Sequence, residues 1–247
     1  GGTESPMAKK ENRDLKIKKG EQGEPLMKFK NINHKLIDSL SDGVFSIALT
    51  LLGLDVVALV SKVSHESEFN AALLKEWPTF AAYVLGFIVL YSMWYSYHVF
   101  SQYAEGTNSF VVWNHGLNML WVALMPFGVA LLAENLNTSN RKWGVFYFGI
   151  CLFGYNFTWL AQWALNRFKL PISFTDDFPW PHELARRTLP ILFGISSVIG
   201  LALIIISIFS PWIALIGYAL YVIANCNPVT NYSNLVPRLS KYVSAEE

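Results

Sequence analysis

Long apolar runs separated by short polar segments are the strongest pattern in this sequence. A helix of roughly 20 apolar residues crosses a bilayer core about 30 Å thick. Six runs are candidates, and the last of them is short: 35–60, 77–100, 110–133, 143–165, 189–209 and 211–225. The pattern predicts an all-α integral membrane protein with six transmembrane helices.

The polar segments between these runs predict the connections. Residues 61–76 read as a polar loop, and residues 166–188 are too polar and too rich in proline to cross lipid. Residues 1–6 resemble the remnant of a cleaved expression tag, with a native start at Met7. We therefore expect a basic tail over 7–34, a transmembrane domain over 35–226 and a polar C-terminal tail over 227–247.

The distribution of basic residues predicts the orientation. With six spans, the two tails and the even-numbered connections share one side of the membrane and hold 15 of the 19 lysines and arginines. The opposite side holds four, namely Lys62, Lys75, Arg141 and Lys142. Because basic residues are enriched on the cytoplasmic side, both termini are predicted to be cytoplasmic.

The first run differs from the others because it carries several polar side chains: Asp42, Ser46, Thr50 and Asp55. Polar and ionisable side chains are costly when they face lipid. A span that keeps several of them is a candidate for lining a polar path or for packing against other helices.

A helical projection separates this run into two faces. At about 100° per residue, Leu51 and Leu54 fall within roughly 40° of Ile47, and Thr50 lies at the edge of this apolar stripe. Asp42 lies on the far side, where we expect it to face neighbouring helices and to need a hydrogen-bond or charge partner. The projection alone leaves open that the stripe is ordinary helix packing.

Composition and motifs exclude several classes of function. Hydrophobic residues make up 53% of the chain and charged residues 15%, compared with about 25% charged in soluble domains. The net charge of +1 and the spread of basic residues do not indicate a nucleic-acid-binding face. Cys151 and Cys226 have no metal-ligand spacing. We found no nucleophile elbow and no phosphate-binding loop, and we expect neither an enzyme nor a bound cofactor or metal.

Three segments together resemble the transmembrane protein 175 family of potassium channels. They are residues 41–56 (SDGVFSIALTLLGLDV), the Trp-X-X-X-His motif from Trp94 to His98, and residues 111–132 (VVWNHGLNMLWVALMPFGVALL). The family's first helix begins with arginine, three further residues and Phe-Ser-Asp. In this chain Leu36 stands in place of the arginine and Leu40 in place of the phenylalanine, while Lys35 is one residue out of register.

The resemblance implies a homotetrameric channel with the first helices around a central pore for potassium ions. It also implies a multi-pass protein of a prokaryotic plasma membrane, since the single six-helix members of the family are prokaryotic. The family's pore-facing positions correspond to Ile47, Leu51 and Leu54, with Ser46 and Thr50 as neighbouring hydroxyls. Four copies of Ile47 would form an apolar constriction. Asp55, near the predicted outer mouth, would either raise the local cation concentration or be an ordinary interfacial carboxylate. Without a carbonyl-lined filter sequence, we expect only modest selectivity over sodium.

In the same reading, Ser41 and Asp42 hold the first helix against the second and third helices. The expected partners are His98 and Asn114, with Trp94 and Trp113 as further candidates. A histidine near the end of an aromatic helix is more typically a packing or hydrogen-bonding residue than a metal ligand, and this applies to His98 and His115.

Other classes of membrane protein remain open from the sequence. A proton-coupled secondary transporter would use Asp42 and His98 as a relay, although such transporters usually show internal repeats. A cation leak channel that also passes protons and a scaffold without transport activity are further alternatives.

Overall fold

The computed structural model describes residues 34–65, 67–105, 109–168, 173–174 and 182–225. The predicted expression remnant and both predicted tails, apart from residue 34, lie outside these residues, as do Cys226 and most of the connection around residue 175. The side chains of Lys35 and Leu36 are also outside the description.

The described residues form seven α-helices and one pair of short strands. The helices are α1 (His34–Val63), α2 (Phe69–Lys75), α3 (Trp77–Ser101), α4 (Ser109–Asn135), α5 (Arg141–Phe168), α6 (His182–Phe209) and α7 (Pro211–Asn225). Strands β1 (Ala104–Glu105) and β2 (Ser173–Phe174) pair antiparallel, with Ala104 opposite Phe174.

Five of the six predicted spans are confirmed as helices of spanning length and composition. Helices α1, α3, α4, α5 and α6 each contain 23 to 26 residues of sufficiently apolar sequence. Helix α7 is apolar but only 15 residues long. At 1.5 Å per residue it reaches about 22 Å, which is less than the thickness of a bilayer core.

The predicted connections were wrong in two places. Residues 61–76 are not a continuous loop, because α1 extends to Val63 and α2 occupies Phe69–Lys75. Helix α6 begins at His182, within the predicted connection 166–188, and α5 continues to Phe168. Hydropathy marks only the part of a helix that lies in lipid, whereas backbone hydrogen bonds continue into the polar flanks.

Helix α5 occupies the centre of the bundle. It packs most extensively against α4 and α6, and it also contacts α7. Its large side chains Phe148, Phe153 and Trp163 are fully buried. Helix α1 packs on the other side of the bundle, against α3 and α4.

A glycine allows α6 to approach α5 closely. A Cβ atom at Gly200 would overlap the ring of Phe153, which has no room to move because it is fully buried. Small residues at such crossings let two membrane helices bring their backbones together. Gly194, six residues earlier on α6, has no neighbouring atom within 4 Å of the same position.

We expect Gly200→Ala to destabilise the protein by about 1–3 kcal/mol, because the added methyl group overpacks the contact between α5 and α6. Gly194→Ala is the matched control on the same helix and should be neutral or slightly stabilising. Thermal unfolding in detergent, followed by tryptophan fluorescence, measures both. Equal stability of the two variants would contradict the close packing at Gly200.

Candidate functional site

Helix α1 has one buried face and one exposed face. The buried face packs against α3 and α4 and repeats every three or four residues, with Ser41, Phe45, Ala48, Leu52, Leu59 and Val63 all nearly or fully buried. This spacing is that of a single stripe on a helix. The packing of α1 within the chain therefore uses only one side of the helix.

The predicted apolar stripe lies on the opposite side. Ile47 is 61% exposed, Leu51 44% and Leu54 60%, and Leu40 and Val57 extend the same exposed surface. Within the described part of the chain, α1 therefore presents a continuous apolar face to its surroundings. A patch of this kind is typical of a surface that meets lipid or another protein subunit.

Two hydroxyl groups lie beside this stripe. Ser46 and Thr50 are exposed, and the Thr50 hydroxyl donates a hydrogen bond to the Ile47 carbonyl over 2.8 Å. Because the hydroxyl hydrogen is donated to the backbone, the oxygen lone pairs of Thr50 remain free to accept. A hydroxyl in this state offers an oxygen ligand to a cation.

Asp55 lies in a cleft of about 170 Å³ formed by α1, the start of α3 and the end of α4. Glu76, Thr79 and Glu134 line the same cleft. Only Asp55 was predicted at this position from the sequence, since Glu76 and Glu134 are far from it along the chain. No group of metal-ligating side chains suited to hold a metal ion is present among the described residues.

Asp42 is held by the second long helix. The indole Nε1 of Trp94 donates to Asp42 Oδ1 over 2.9 Å, and the Trp94 ring stacks on His98 with 5.4 Å between ring centroids. The Asp42 side chain is nevertheless exposed rather than enclosed by neighbouring helices. It therefore bonds at the edge of the contact between α1 and α3.

Ser41 is fully buried and connects α1 with α4. Its hydroxyl donates to the Ile37 carbonyl over 2.8 Å and lies 2.8 Å from His115 Nε2. Since the single hydroxyl hydrogen is used by Ile37, His115 donates its Nε2 hydrogen to the Ser41 oxygen. A packing or hydrogen-bonding role for His115 was expected from the sequence, but its partner Ser41 was not.

Asp38 is a further anchor that the sequence analysis missed. Its Oδ1 accepts hydrogen bonds from the Tyr97 hydroxyl over 2.9 Å and from the Ser101 hydroxyl over 2.7 Å. Tyr97 and Ser101 are four residues apart on α3 and therefore reach the same carboxylate oxygen from one face of that helix. Asp38 and Asp42 are likewise four residues apart on α1, so a second carboxylate on the face of Asp42 is the signal that could have revealed this anchor.

The remaining predicted partners lie elsewhere. The buried amide of Asn114 donates to the Thr158 carbonyl of α5 over 3.1 Å, and Trp113 is 78% exposed. The residues that were predicted to attach α1 thus belong to two different helix contacts. One chain of contacts joins α1 to α3 through Asp42, Trp94 and His98. The other contact joins α4 to α5 through Asn114.

Comparisons with known proteins confirm the resemblance noted in the sequence. Residues 37–126 match the family model described as endosomal/lysosomal potassium channel TMEM175. A protein of Chamaesiphon minutus named as a potassium channel is 37% identical over 118 residues, which is 47% of this chain and 58% of that protein. A second such protein, of Streptomyces collinus, is 37% identical over 106 residues, which is 43% of this chain and 50% of that protein. The matched part of the chain therefore spans 58% and 50% of the length of these two relatives.

The fold also matches a solved structure. The crystal structure of a lysosomal potassium-selective channel TMEM175 homolog from Chamaesiphon minutus superposes with a TM-score of 0.64 and 21% sequence identity. The match covers 78% of this chain and 98% of that chain. At this level of identity the likeness shows a shared all-helical fold.

We expect the Asp38–Tyr97 hydrogen bond to contribute measurably to the attachment of α1. In a double-mutant cycle, Asp38→Ala and Tyr97→Phe should show a coupling of about 1–2 kcal/mol in the free energy of unfolding. Tyr91→Phe, at an exposed tyrosine of the same helix, is the control and should combine additively with Asp38→Ala. A coupling for Tyr97 no larger than that for Tyr91 would exclude the bond as an anchor.

Proposed function

Taking the match of residues 37–126 to the transmembrane protein 175 family as the premise, we propose that this chain is a potassium channel subunit. It works as a homotetramer in which four α1 helices surround a central pore. The protein is a multi-pass component of a prokaryotic plasma membrane, with both termini in the cytoplasm. The observation that carries this proposal is the two-faced α1 helix, anchored to α3 and α4 on one side and exposed along Ile47, Leu51 and Leu54 on the other.

A single subunit offers only one such helix, so an axial pore requires several copies. Closed cyclic symmetry would place the same exposed stripe of each copy around one axis. The stripe would then be covered by symmetry mates and by pore water, and not by another part of its own chain. This assembly accounts for an apolar face that remains exposed although the opposite face is fully packed.

Rings of Ile47, Leu51 and Leu54 form the constriction in this proposal. Narrow apolar rings close a pore to ions because water leaves them, and a small increase in diameter restores a hydrated path. The apolar side chains offer no ligands to a dehydrated ion. Passage through these rings therefore favours the cation that loses hydration water at the lower free-energy cost, which is potassium rather than sodium.

The hydroxyls of Ser46 and Thr50 supply the oxygen ligands near the constriction. The donated bond from Thr50 to the Ile47 carbonyl leaves the threonine oxygen available as an acceptor. In the tetramer, a ring of Thr50 hydroxyls, one from each subunit, replaces only part of the hydration shell of a cation. Selectivity over sodium is therefore modest compared with filters built from continuous rings of carbonyls.

The carboxylates near Asp55 increase the local cation concentration at the outer mouth. Asp55, Glu76 and Glu134 share one cleft in each subunit, and four copies would surround the entrance. A concentration of negative charge attracts cations over about one Debye length, which is roughly 8 Å at physiological salt. This contribution should weaken as ionic strength rises.

Replacing Ile47 with asparagine should raise conductance and admit more sodium, because a polar ring keeps water in the constriction. The measurement is single-channel recording of purified protein in planar bilayers, with potassium on one side and sodium on the other. Ile47→Leu preserves an apolar ring and should retain the parent conductance. Ile205→Asn places the same polar side chain at an exposed position of α6 and should leave ion preference unchanged.

The outcome separates the channel from its alternatives. Unitary current steps in the parent protein support a channel, whereas saturable flux with a fixed proton stoichiometry would indicate a transporter. Protein that carries neither current nor measurable ion flux would contradict both. Unchanged currents in Ile47→Asn would remove Ile47 from the ion path.

Replacing Asp42 with alanine should reduce folding or assembly more than it changes ion preference. The substitution removes the acceptor of the Trp94 indole, which helps to attach α1 to α3. The fraction of tetramer by native mass spectrometry and the reversal potential of the remaining channels measure the two effects. Trp94→Phe removes the donor but keeps an aromatic ring and leaves the exposed Asp42 carboxylate able to bind water, so it should produce a milder loss of tetramer.

Wild-type amounts of tetramer with altered selectivity would assign Asp42 to the ion path instead of the anchor.

A further inference from the structure

Two basic residues begin α5, at the end of the bundle where α6 ends and α7 begins. Arg141 is the first residue of α5 and is partly exposed, and Lys142 follows it and is exposed. Neither side chain forms an ion pair with a carboxylate within the described part of the chain. Their positive charges are therefore accessible to an anion from outside the subunit.

The Arg141 side chain is held in place by two contacts. Its Nε donates a hydrogen bond to the Leu136 carbonyl, and its guanidinium carbon lies 4.9 Å from the centroid of the Trp212 ring on α7. A guanidinium group has five N–H donors, so the four on its two Nη atoms remain after the bond to Leu136. A pair of nitrogens fixed in this way can bind a phosphate group through two parallel hydrogen bonds.

The positions of these cations on their helix favour an anion beside them. The N-terminal end of a helix carries a partial positive charge, so the two cations in the first turn of α5 experience repulsion there. Arg141 also lies beside the first turn of α7, where Ala214 is the first residue whose N–H bonds back to the Ser210 carbonyl. The N–H of Trp212 therefore has no carbonyl acceptor within its own helix. A bound anion would relieve the repulsion at both helix ends.

The acidic side chains at this end of the bundle are grouped elsewhere. Glu134 is the carboxylate nearest to Arg141 along the chain, and it lines the cleft that also contains Asp55 and Glu76. That cleft is formed by α1, α3 and α4, whereas the cations lie at the starts of α5 and α7. Among the described residues, the subunit thus provides no counter-ion for its two cations.

The position in the membrane indicates where the anion comes from. The apolar span of α5 starts at Arg141, so this residue lies where the helix leaves the hydrocarbon core for the headgroup region. Trp143 and Trp212 are 44% and 42% exposed, and tryptophan is enriched at this depth. The anionic groups present at this depth are phospholipid phosphates.

An apolar surface begins next to the cations and continues along α7. Trp212, Ile216 and Leu220 are exposed and are spaced by four residues, so they form one strip parallel to the helix axis. At 1.5 Å per residue this strip is about 12 Å long. A hydrocarbon chain attached to the phosphate can lie along it, whereas a free phosphate ion gains nothing from it. The strip therefore favours a lipid over a soluble anion.

We propose that Arg141 and Lys142, at the starts of α5 and α7, form a binding site for the phosphate of an anionic phospholipid. Arg141 binds the phosphate oxygens through its Nη atoms, and Lys142 adds a second positive charge. An acyl chain lies along Trp212, Ile216 and Leu220. Two cations favour a lipid with net negative charge over a zwitterionic lipid, which carries its own cation beside the phosphate. The site does not depend on the proposed channel function.

The test is native mass spectrometry of the full chain in detergent, titrated with phosphatidylglycerol or with phosphatidylcholine of the same acyl chains. The parent should bind phosphatidylglycerol more tightly. Arg141→Gln should weaken the tightest phosphatidylglycerol site roughly fivefold and remove most of this preference, since one interfacial charge is lost. Lys75→Gln removes the same charge from an exposed position on α2 and should bind like the parent.

A second substitution keeps the test independent of folding, because Arg141→Gln also removes the contacts with Leu136 and Trp212. Lys142→Gln changes only an exposed side chain and should weaken phosphatidylglycerol binding roughly two- to fivefold. If Arg141→Gln does not fold, the comparison of Lys142→Gln with Lys75→Gln decides the location.

Glycerol phosphate distinguishes a lipid site from a site for a free anion, because it carries the phosphate without acyl chains. At a concentration equal to that of the lipid, it should leave phosphatidylglycerol binding to the parent unchanged. Competition at equal concentration would show that the acyl chain has no part in binding, and this would overturn the proposal.

Two further results would overturn it. Equal phosphatidylglycerol affinity of the Lys142→Gln and Lys75→Gln variants would place the lipid elsewhere on the protein. Equal affinity of the parent for the two lipids would show that the pair of cations does not select a negatively charged headgroup.

Discussion

The attachment of α1 to the rest of the subunit depends on two carboxylates that are each bonded by α3. Asp38 accepts from Tyr97 and Ser101, and Asp42 accepts from Trp94. Carboxylates near the membrane are costly unless donors are available. Each of these groups therefore has a strong preference for the one arrangement of α1 and α3 in which its donors are present, whereas apolar contacts alone would tolerate other rotations of the helix.

This attachment determines the direction in which the opposite face of α1 points. Ser41, Phe45 and Ala48 are buried by the same contact that positions the carboxylates. The stripe that contains Ile47 and Leu51 must then point away from the subunit. The exposed face is thus a direct result of the anchor, and the proposed pore uses a surface that the fold of the single chain leaves without a partner.

The sequence predicted the features that depend on one segment at a time. Hydropathy located five long helices, and helical spacing placed Asp42 and Ile47 on different faces of α1. Both predictions succeed because hydropathy and helical spacing depend only on neighbouring residues in the sequence. The partners of these residues depend on how helices are arranged in space. Asn114 was expected at α1 and bonds instead to Thr158, while Asp38 and His115 were not identified as anchors.

Short elements and buried hydrogen bonds were also outside the reach of sequence patterns. Helix α2 has only seven residues between polar flanks, and hydropathy averages over longer windows. Asn156 gave no signal of its hydrogen bonds, because its partners Ser196 and Tyr221 lie 40 and 65 residues further along the chain.

The anchor and the apolar stripe occupy one continuous helix, so their relative phase is fixed by the number of residues between them. A single insertion between Asp42 and Ile47 would turn everything beyond it by about 100° and direct the stripe into the side of α1 that packs on α3 and α4. An insertion of four residues would nearly restore the direction but would shift the stripe by about 6 Å along the helix axis. Length variation in this segment is therefore constrained more tightly than the identity of its apolar side chains.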